Sequence, residues 1–526
     1  MSANELLDRL LAWDEGAPRP ATETLPFPRA KDDDRLVIAF VRMGGESSPW
    51  GVALGRPDEA PRCFTVPEPR NRDAHAAFVR RFADALLAHV GHPLHLPADP
   101  RGLAETERLF PKELLAARQL WVPGPTHLEM LHLLDYRYTL ALTGDDAALK
   151  TLRAFGRACG WLFRESTRPG QVRVFDATAR LRDAYVFPAE PARQRHLGFL
   201  LAWLGAGDRA AREARAKEAE RSPVGVSMMP ALERDVLEDL VKAYQQATPA
   251  VREGVAKAIH DVLVPELETR WRLTVAAMRA LDADPRPQNP QLGPVIALGA
   301  DECQYQYWSH EVRGLRDDLS PEERRALGAH PETDFSPVRA AARYFQHLHA
   351  HEVTSSELVH GDRVLLERAL DAGDGFTGTV TAVGREHGAK TGPVRWTVTS
   401  PADESLRLRE ESKVCLVGAR ARTGVIVSLQ TEGSVRTLVI EHGVNRPKVP
   451  IPGLPPTADD PAWVGRAVTF IDQGAVGISL RKGIAVRDAE GPGAWLTHAA
   501  PLPEPSPGLV VRPNLVDIVK GLEGPK

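Results

Sequence analysis

Three strand-like runs follow one another closely near the start of the chain: "RLVIAFVRM", "WGVALGR" and "RCFTVPEP". A long amphipathic segment comes next, "DAHAAFVRRFADALLAHV", with Phe78, Phe82, Leu86 and Val90 at helical spacing. The run "HPLHLP" then reads as a fourth strand. An order of strand, strand, strand, helix, strand commits this stretch to an α/β arrangement.

Residues 1–34 read as a short amphipathic helix (Leu6, Leu7, Leu10, Leu11), a Pro-rich linker and the acidic run Asp32–Asp34, ahead of an α/β domain at 35–125. From 126 to 350 the pattern is helical. Thr126 and Glu129 form a capping box, with Thr126 as N-cap, and "SPEERRALG" and "SPVRAAARYFQHLH" each begin with a Ser N-cap and Pro at N1. One interruption, "GQVRVFDATARLRDAYVFP", reads as a small hairpin. Beyond Val353 the pattern turns to β. Segments beginning "GDRVLLERAL" and "ESKVCLVGAR" share a plan about fifty residues apart, which predicts tandem SH3-like small barrels over 351–448. A Pro-rich linker at 449–461 leads to a β-rich piece with a C-terminal helix, 462–526. The fold class is α+β and multidomain.

The balance of charge excludes a whole-protein field for nucleic acid or anionic lipid: 66 Lys+Arg against 70 Asp+Glu gives net −4. Any nucleic-acid contact has to be a local patch. Cys63, Cys159, Cys303 and Cys415 form no CxxC pair, so thiols in a reducing cytoplasm are expected rather than disulfides or zinc. The first residues carry acids within their apolar stretch, unlike a signal peptide, and no apolar run is long enough for a membrane span. Arg outnumbers Lys and Ala is abundant, which fits a GC-rich bacterial genome.

Most candidate motifs have a plainer explanation. "GREHGAKTG" comes near the phosphate-loop pattern, but Ala389 stands where the second Gly belongs and strands flank it, so a hairpin loop is expected. His347, His349 and His351 lie at a helix C-terminus, where imidazolium groups suit the dipole, and no carboxylate pattern accompanies them as metal ligands. His127 and Glu129 fall in a helix's first turn, where capping accounts for the Glu. No intact catalytic motif, cofactor motif or metal motif is present. The barrel region offers a cationic surface: Arg395 beside Trp396, Arg407 and Arg409 alternating in "LRLRE", Arg420 and Arg422 in the turn "GARARTG", and Arg481 and Lys482 in "SLRKG". Trp396 would stack on a base and the cations would meet the phosphates of DNA or RNA. Acids in the same stretch nearly cancel the charge, and alternating Arg on a solvated strand face is the plainer reading.

The strand order over Leu36–Pro97 resembles the first half of an RNase H-like nuclease fold. Such nucleases hold two divalent ions on carboxylates, one from the first strand, yet "LVIAFVRMGG" has none. Taken with the barrels and the tail "NLVDIVKGLEGP", the order of parts resembles the region ahead of the motor in bacterial superfamily 1 helicases of the Upf1-like type. That resemblance implies a degenerate nuclease-like domain and a companion role beside an ATPase encoded separately, in DNA repair or antiviral defence. The edge Leu515, Val516 and Val519 would dock the motor, or would pack on its own barrel. Two other readings stay open. One is a metal-dependent nuclease, using magnesium or manganese, with Asp99 and either Asp176 or Asp183 among its carboxylates; the other is a protein-only scaffold whose barrels bind peptides.

Overall fold

The computed structural model describes residues 3–44, 48–90, 118–139, 147–167, 170–292, 354–385, 392–443 and 453–472. Helix α1 (Ala3–Glu15) leads into β1 (Arg19–Pro20). Strands β2 (Arg35–Arg42), β3 (Pro49–Gly55) and β4 (Arg62–Thr65) then form an antiparallel set, and α2 (Arg72–Val90) follows. Strand β5 (Gln119–Val122) pairs parallel with β2, and β6 (Val174–Asp176) pairs parallel with β5. The sheet order is β4-β3-β2-β5-β6.

Central strand β2 sorts its side chains by the pleat. Leu36, Ile38 and Phe40 enter one core, while Val37, Ala39 and Val41 enter another. Because both faces are buried, the strand is a continuous apolar run rather than an alternating one. Helices α2, α3 (Pro125–Thr139) and α4 (Ala147–Ser166) cover the first face with Phe78, Phe82, Leu134 and Phe155. The second face is covered by α5 (Ala177–Ala184), α6 (Leu197–Leu204) and, beyond α7 (Arg209–Ala219) and α8 (Glu238–Gln246), by the long α9 (Pro249–Asp282). Leu263, Leu267 and Trp271 of α9 lie in that second core.

Two expectations are corrected by this arrangement. The segment read as a hairpin is instead β6, then α5, then β7 (Tyr185–Val186), which pairs with β1. Asp176 accepts a hydrogen bond from the Ala179 amide and so starts a helix where a turn was expected. The boundary expected at residue 125 runs through the sheet, since β6 and most of its covering helices lie beyond it. The expected strand "HPLHLP" and Asp99 lie outside the described residues; the fourth strand observed is β5.

After Asp362 caps α10 (Arg363–Asp371), six strands close a barrel: β8 (Gly375–Arg385), β9 (Val394–Pro401), β10 (Lys413–Leu416), β11 (Ala419–Glu432), β12 (Val435–His442) and β13 (Ala467–Asp472). The order is β10-β11-β12-β9-β8-β13, and every pairing is antiparallel. The two similar segments therefore belong to one barrel, not tandem barrels, and the run "RVLLERALD" expected as the first segment's opening strand is the helix α10. Each segment alone would leave open edges, and β13, from beyond the Pro-rich linker, bridges β8 and β10 to remove them. Closure demands close backbone approach at Gly378, where a Cβ would sit 2.5 Å from the Thr399 carbonyl oxygen. Asp362 also accepts from the Thr24 amide and hydroxyl at 2.7 Å, tying the barrel's lead-in helix to the N-terminal region. No helix among the described residues is long and apolar enough to cross a membrane.

Candidate nucleic-acid interface

The chain leaves β2 toward β3 on one side and returns to β5 on the other. The carboxyl ends of β2 and β5 therefore flank the point where an open α/β sheet offers a crevice. In this protein an extended strap, residues 223–228, crosses that edge. Val226 enters the first core, and Val224 and Met228 enter the second. The Arg42 amide donates to the Val226 carbonyl at 2.8 Å, and Thr126 Oγ1 accepts from the Val226 amide at 3.3 Å. Thr126 thus serves the strap rather than the expected capping box.

His127 pins the strap from inside. Its Nδ1 accepts the Phe40 amide at 3.0 Å, so Nε2 carries the proton and donates to the Val224 carbonyl, also at 3.0 Å. Complete burial pushes its pKa down to about 3 and keeps the ring neutral. From the other side the buried Arg270 donates to the carbonyls of Gly225 (2.7 Å) and Ser227 (2.9 Å), with Glu266 balancing its charge at 2.8 Å.

A pocket of about 540 Å³ opens beside the strap, lined by Arg42, Thr126, Arg193, Arg195, His196 and Glu220 with the strap residues. Arg193 pairs with Glu220 at 2.8 Å. Arg42 and Arg195 meet no carboxylate among the described residues, and Arg42 Nε is buried without a partner there. His196 caps α6, its Nδ1 accepting from the Phe199 amide at 3.1 Å while Nε2 donates to the Ser222 carbonyl. Three guanidinium groups against one carboxylate make this a positive site in a chain of net −4. Its chemistry suits phosphate, which a planar guanidinium can meet with two parallel hydrogen bonds.

Among the described residues, the carboxylates near this edge, the groups a nuclease would need, are already engaged: Glu233 accepts from the Gly44 amide at 2.7 Å, just past β2. On β2 the corresponding stretch is Ala39, Phe40 and Val41, all buried in apolar surroundings. Asp176 lies at the end of β6, committed as the cap of α5, and burial raises its pKa to about 6. Asp183 pairs with Arg180 at 3.1 Å. No cluster of three or more His, Cys, Asp or Glu suited to a metal ion occurs among the described residues.

The barrel residues expected at a nucleic-acid surface are dispersed. Trp396 is 0% exposed and packs 4.4 Å, ring centre to ring centre, from both Trp463 and His442; stacking on a base is thereby corrected to a core role. Arg422 lies in β11 rather than a turn, is 6% exposed, and donates to the Pro455 carbonyl at 3.2 Å. Arg395 pairs across strands with Glu441 at 2.9 Å. Arg407 and Arg409 are exposed but sit in a loop rather than on one strand face, with Asp374 3.6 Å from Arg407. Arg420 belongs to β11, and nothing of its side chain is described. Arg481, Lys482, Leu515, Val516 and Val519 lie outside the described residues, as do the His347–His351 cluster and most of the loop around Ala389.

Arg42, Arg195, His196 and the strap pin His127 were missed as a site. One signal was present: "RQRHLG" sets two arginines and a helix-capping His directly before the apolar run of α6. No family model, curated protein or solved structure matches this chain.

Proposed function

We propose that this protein is a non-catalytic accessory component of a bacterial nucleic-acid-processing assembly, holding nucleic acid at the carboxyl edge of a catalytically silent RNase H-like domain. The observation that carries this reading is the substitution at the switch-point crevice: guanidinium groups and a pinned strap stand where a nuclease would gather carboxylates. The sheet order, with the first three strands antiparallel and the next two parallel on the other side of the first, supports the RNase H-like assignment. The small closed barrel supports an SH3-like one. Service beside an ATPase motor, in repair or phage defence, rests on the resemblance of the order of parts alone.

The test is a fluorescence-anisotropy titration with single- and double-stranded DNA and RNA at low and moderate salt, with and without magnesium. Salt-sensitive binding without cleavage is expected. Magnesium-dependent cleavage that disappears in Asp99→Asn would replace this reading with the nuclease one. Absence of binding at any salt would leave a protein-only scaffold.

A further inference from the structure

A second pocket, of about 340 Å³, adjoins the cationic one, and Arg193 lines both. Its lining includes three aromatic rings, Trp13 from α1 and Phe199 and Trp203 from α6, beside the charged Glu190, Arg209, Glu213 and Lys217. Trp13 is 51% exposed, although its backbone is anchored. Arg209, the first residue of α7, lies 4.9 Å from the Trp13 ring centre and donates to the Trp13 carbonyl at 3.1 Å. The indole is thereby held at the rim with much of its surface facing solvent. Trp203 is 3% exposed, and its Nε1–H has no acceptor among the described residues. Such a donor costs free energy unless something supplies an acceptor. The Arg193 guanidinium lies 5.5 Å from the Phe199 ring centre, so the ridge between the pockets carries both a cation and a π-face.

These three features have one occupant chemistry in common. Indole walls suit a planar ring, an unpaired buried N–H suits a ring carbonyl or ring nitrogen, and the adjoining guanidinium pocket suits phosphate. A nucleotide carries a flat base with acceptors on its edge, one sugar away from its phosphate. An apolar peptide side chain would leave the Trp203 donor unpaired and give Arg42 and Arg195 no anion.

We infer that the two pockets together take one nucleotide unit of a single strand, its phosphate among Arg42, Arg193 and Arg195 and its base against Trp13 and Trp203. This rests on the nucleic-acid reading above and specifies it: the strand is single, and one base is turned out of its stack. A duplex would have to break a pair to deliver that base, so it binds less well.

The experiment compares a labelled short oligothymidine, an abasic strand of equal length, a duplex of the same length and thymidine monophosphate, on wild type, Trp13→Ala and Trp203→Phe. Trp203→Phe keeps an aromatic ring and removes only the N–H and part of the surface; Trp13 is exposed enough to truncate without unfolding. Oligothymidine is expected to bind ~10-fold tighter than the abasic strand and the duplex, on the scale of one stacked base. Each variant should erase most of that difference and leave abasic-strand affinity unchanged. Equal affinity for abasic and base-bearing strands, with salt sensitivity intact, would overturn the base pocket while sparing the nucleic-acid reading. If no strand binds, both fall. Monophosphate binding as tightly as the strand would reassign the site to a free nucleotide.

Discussion

Two arginine–tryptophan contacts of nearly equal geometry lie in different halves of this molecule. In the barrel, Arg422 sits 4.8 Å from the ring centre of Trp463, which is 1% exposed. Beside the sheet, Arg209 sits 4.9 Å from the ring centre of the half-exposed Trp13. The chemistry is the same and the surroundings are opposite. The barrel pair is sealed among Trp396, Phe470 and the Pro455 carbonyl, where it can only hold the fold together. Between α1 and α7 the pair leaves an indole half exposed, lining a pocket that shares Arg193 with the cationic one. Residue type alone therefore does not mark a binding surface; burial decides whether a cation and an aromatic serve the core or a ligand.

The largest expected effect sharpens that contrast on the barrel side. Trp396→Ala should cost the barrel about 3–5 kcal/mol, through lost burial and the cavity left beside Trp463. Chemical denaturation followed by near-ultraviolet circular dichroism measures it. Trp13→Ala, by comparison, should stay within about 0.5 kcal/mol of wild type in the same assay. Comparable losses from both substitutions would break the distinction.

Next in size is charge reversal. Arg42→Glu with Arg195→Glu should weaken single-strand binding on the order of 100-fold at low salt, since two guanidinium groups on one phosphate become repulsions. Arg407→Glu with Arg409→Glu, on the barrel loop, should change it by less than about 3-fold. The reverse ranking would return the interface to the barrel.

A smaller effect follows from buried imidazoles in both halves. Burial lowers His75 and His127 to about 3, and His89 and His442 to about 4. Each stays neutral in the folded chain while its unfolded counterpart takes a proton below about 6.5. Their contribution is therefore complete above pH 6.5 and is lost as pH falls toward 4 and then 3, with a slope approaching about 1.4 kcal/mol per pH unit for each. Asp176, raised to about 6, runs the other way: its contribution is present below its unfolded value near 3.8 and is lost as pH rises through 6. Stability should fall between pH 7 and 5 despite this opposing carboxyl. A flat or rising profile on acidification would contradict the neutral, hydrogen-bonded state of these rings.

The smallest effect concerns Asp176 itself. Asp176→Asn keeps a side-chain oxygen for the Ala179 amide and removes the buried charge, so stability at pH 7 should hold or rise. Asp176→Ala loses the cap and should cost about 1 kcal/mol. A large loss in the Asn variant would indicate that the charge itself is required.

Much of the sheet was legible because local pattern carried it. The runs that became β2, β3 and β4 and the helix α2 each bury residues at the spacing read from the chain. Much of the barrel was legible too, except that "RVLLERALD", read as a strand, is the helix α10, and closure was not legible because it depends on β13, which a Pro-rich linker separates from the rest. Trp396 could have been placed correctly, since Val394, Trp396 and Val398 alternate onto one face and leave Arg395 and Thr397 on the other. The pocket was harder to see. Its residues come from the end of β2, the start of α3, the turn before α6 and the strap, which are far apart in sequence. The strap's connections to Arg42, Thr126, His127 and Arg270 run largely through backbone groups that leave no motif.

The central claim is that phosphate is met at the sheet edge, and the salt dependence of single-strand affinity tests it most directly. Each phosphate contact contributes about 0.7 to the slope of log affinity against log salt concentration for single strands. The account predicts that Arg42→Ala with Arg195→Ala lowers the magnitude of that slope by about 0.7, the share of the one phosphate they hold, while Arg407→Ala with Arg409→Ala leaves it unchanged. An unaltered slope in the first pair, or a reduced slope only in the second, would contradict it.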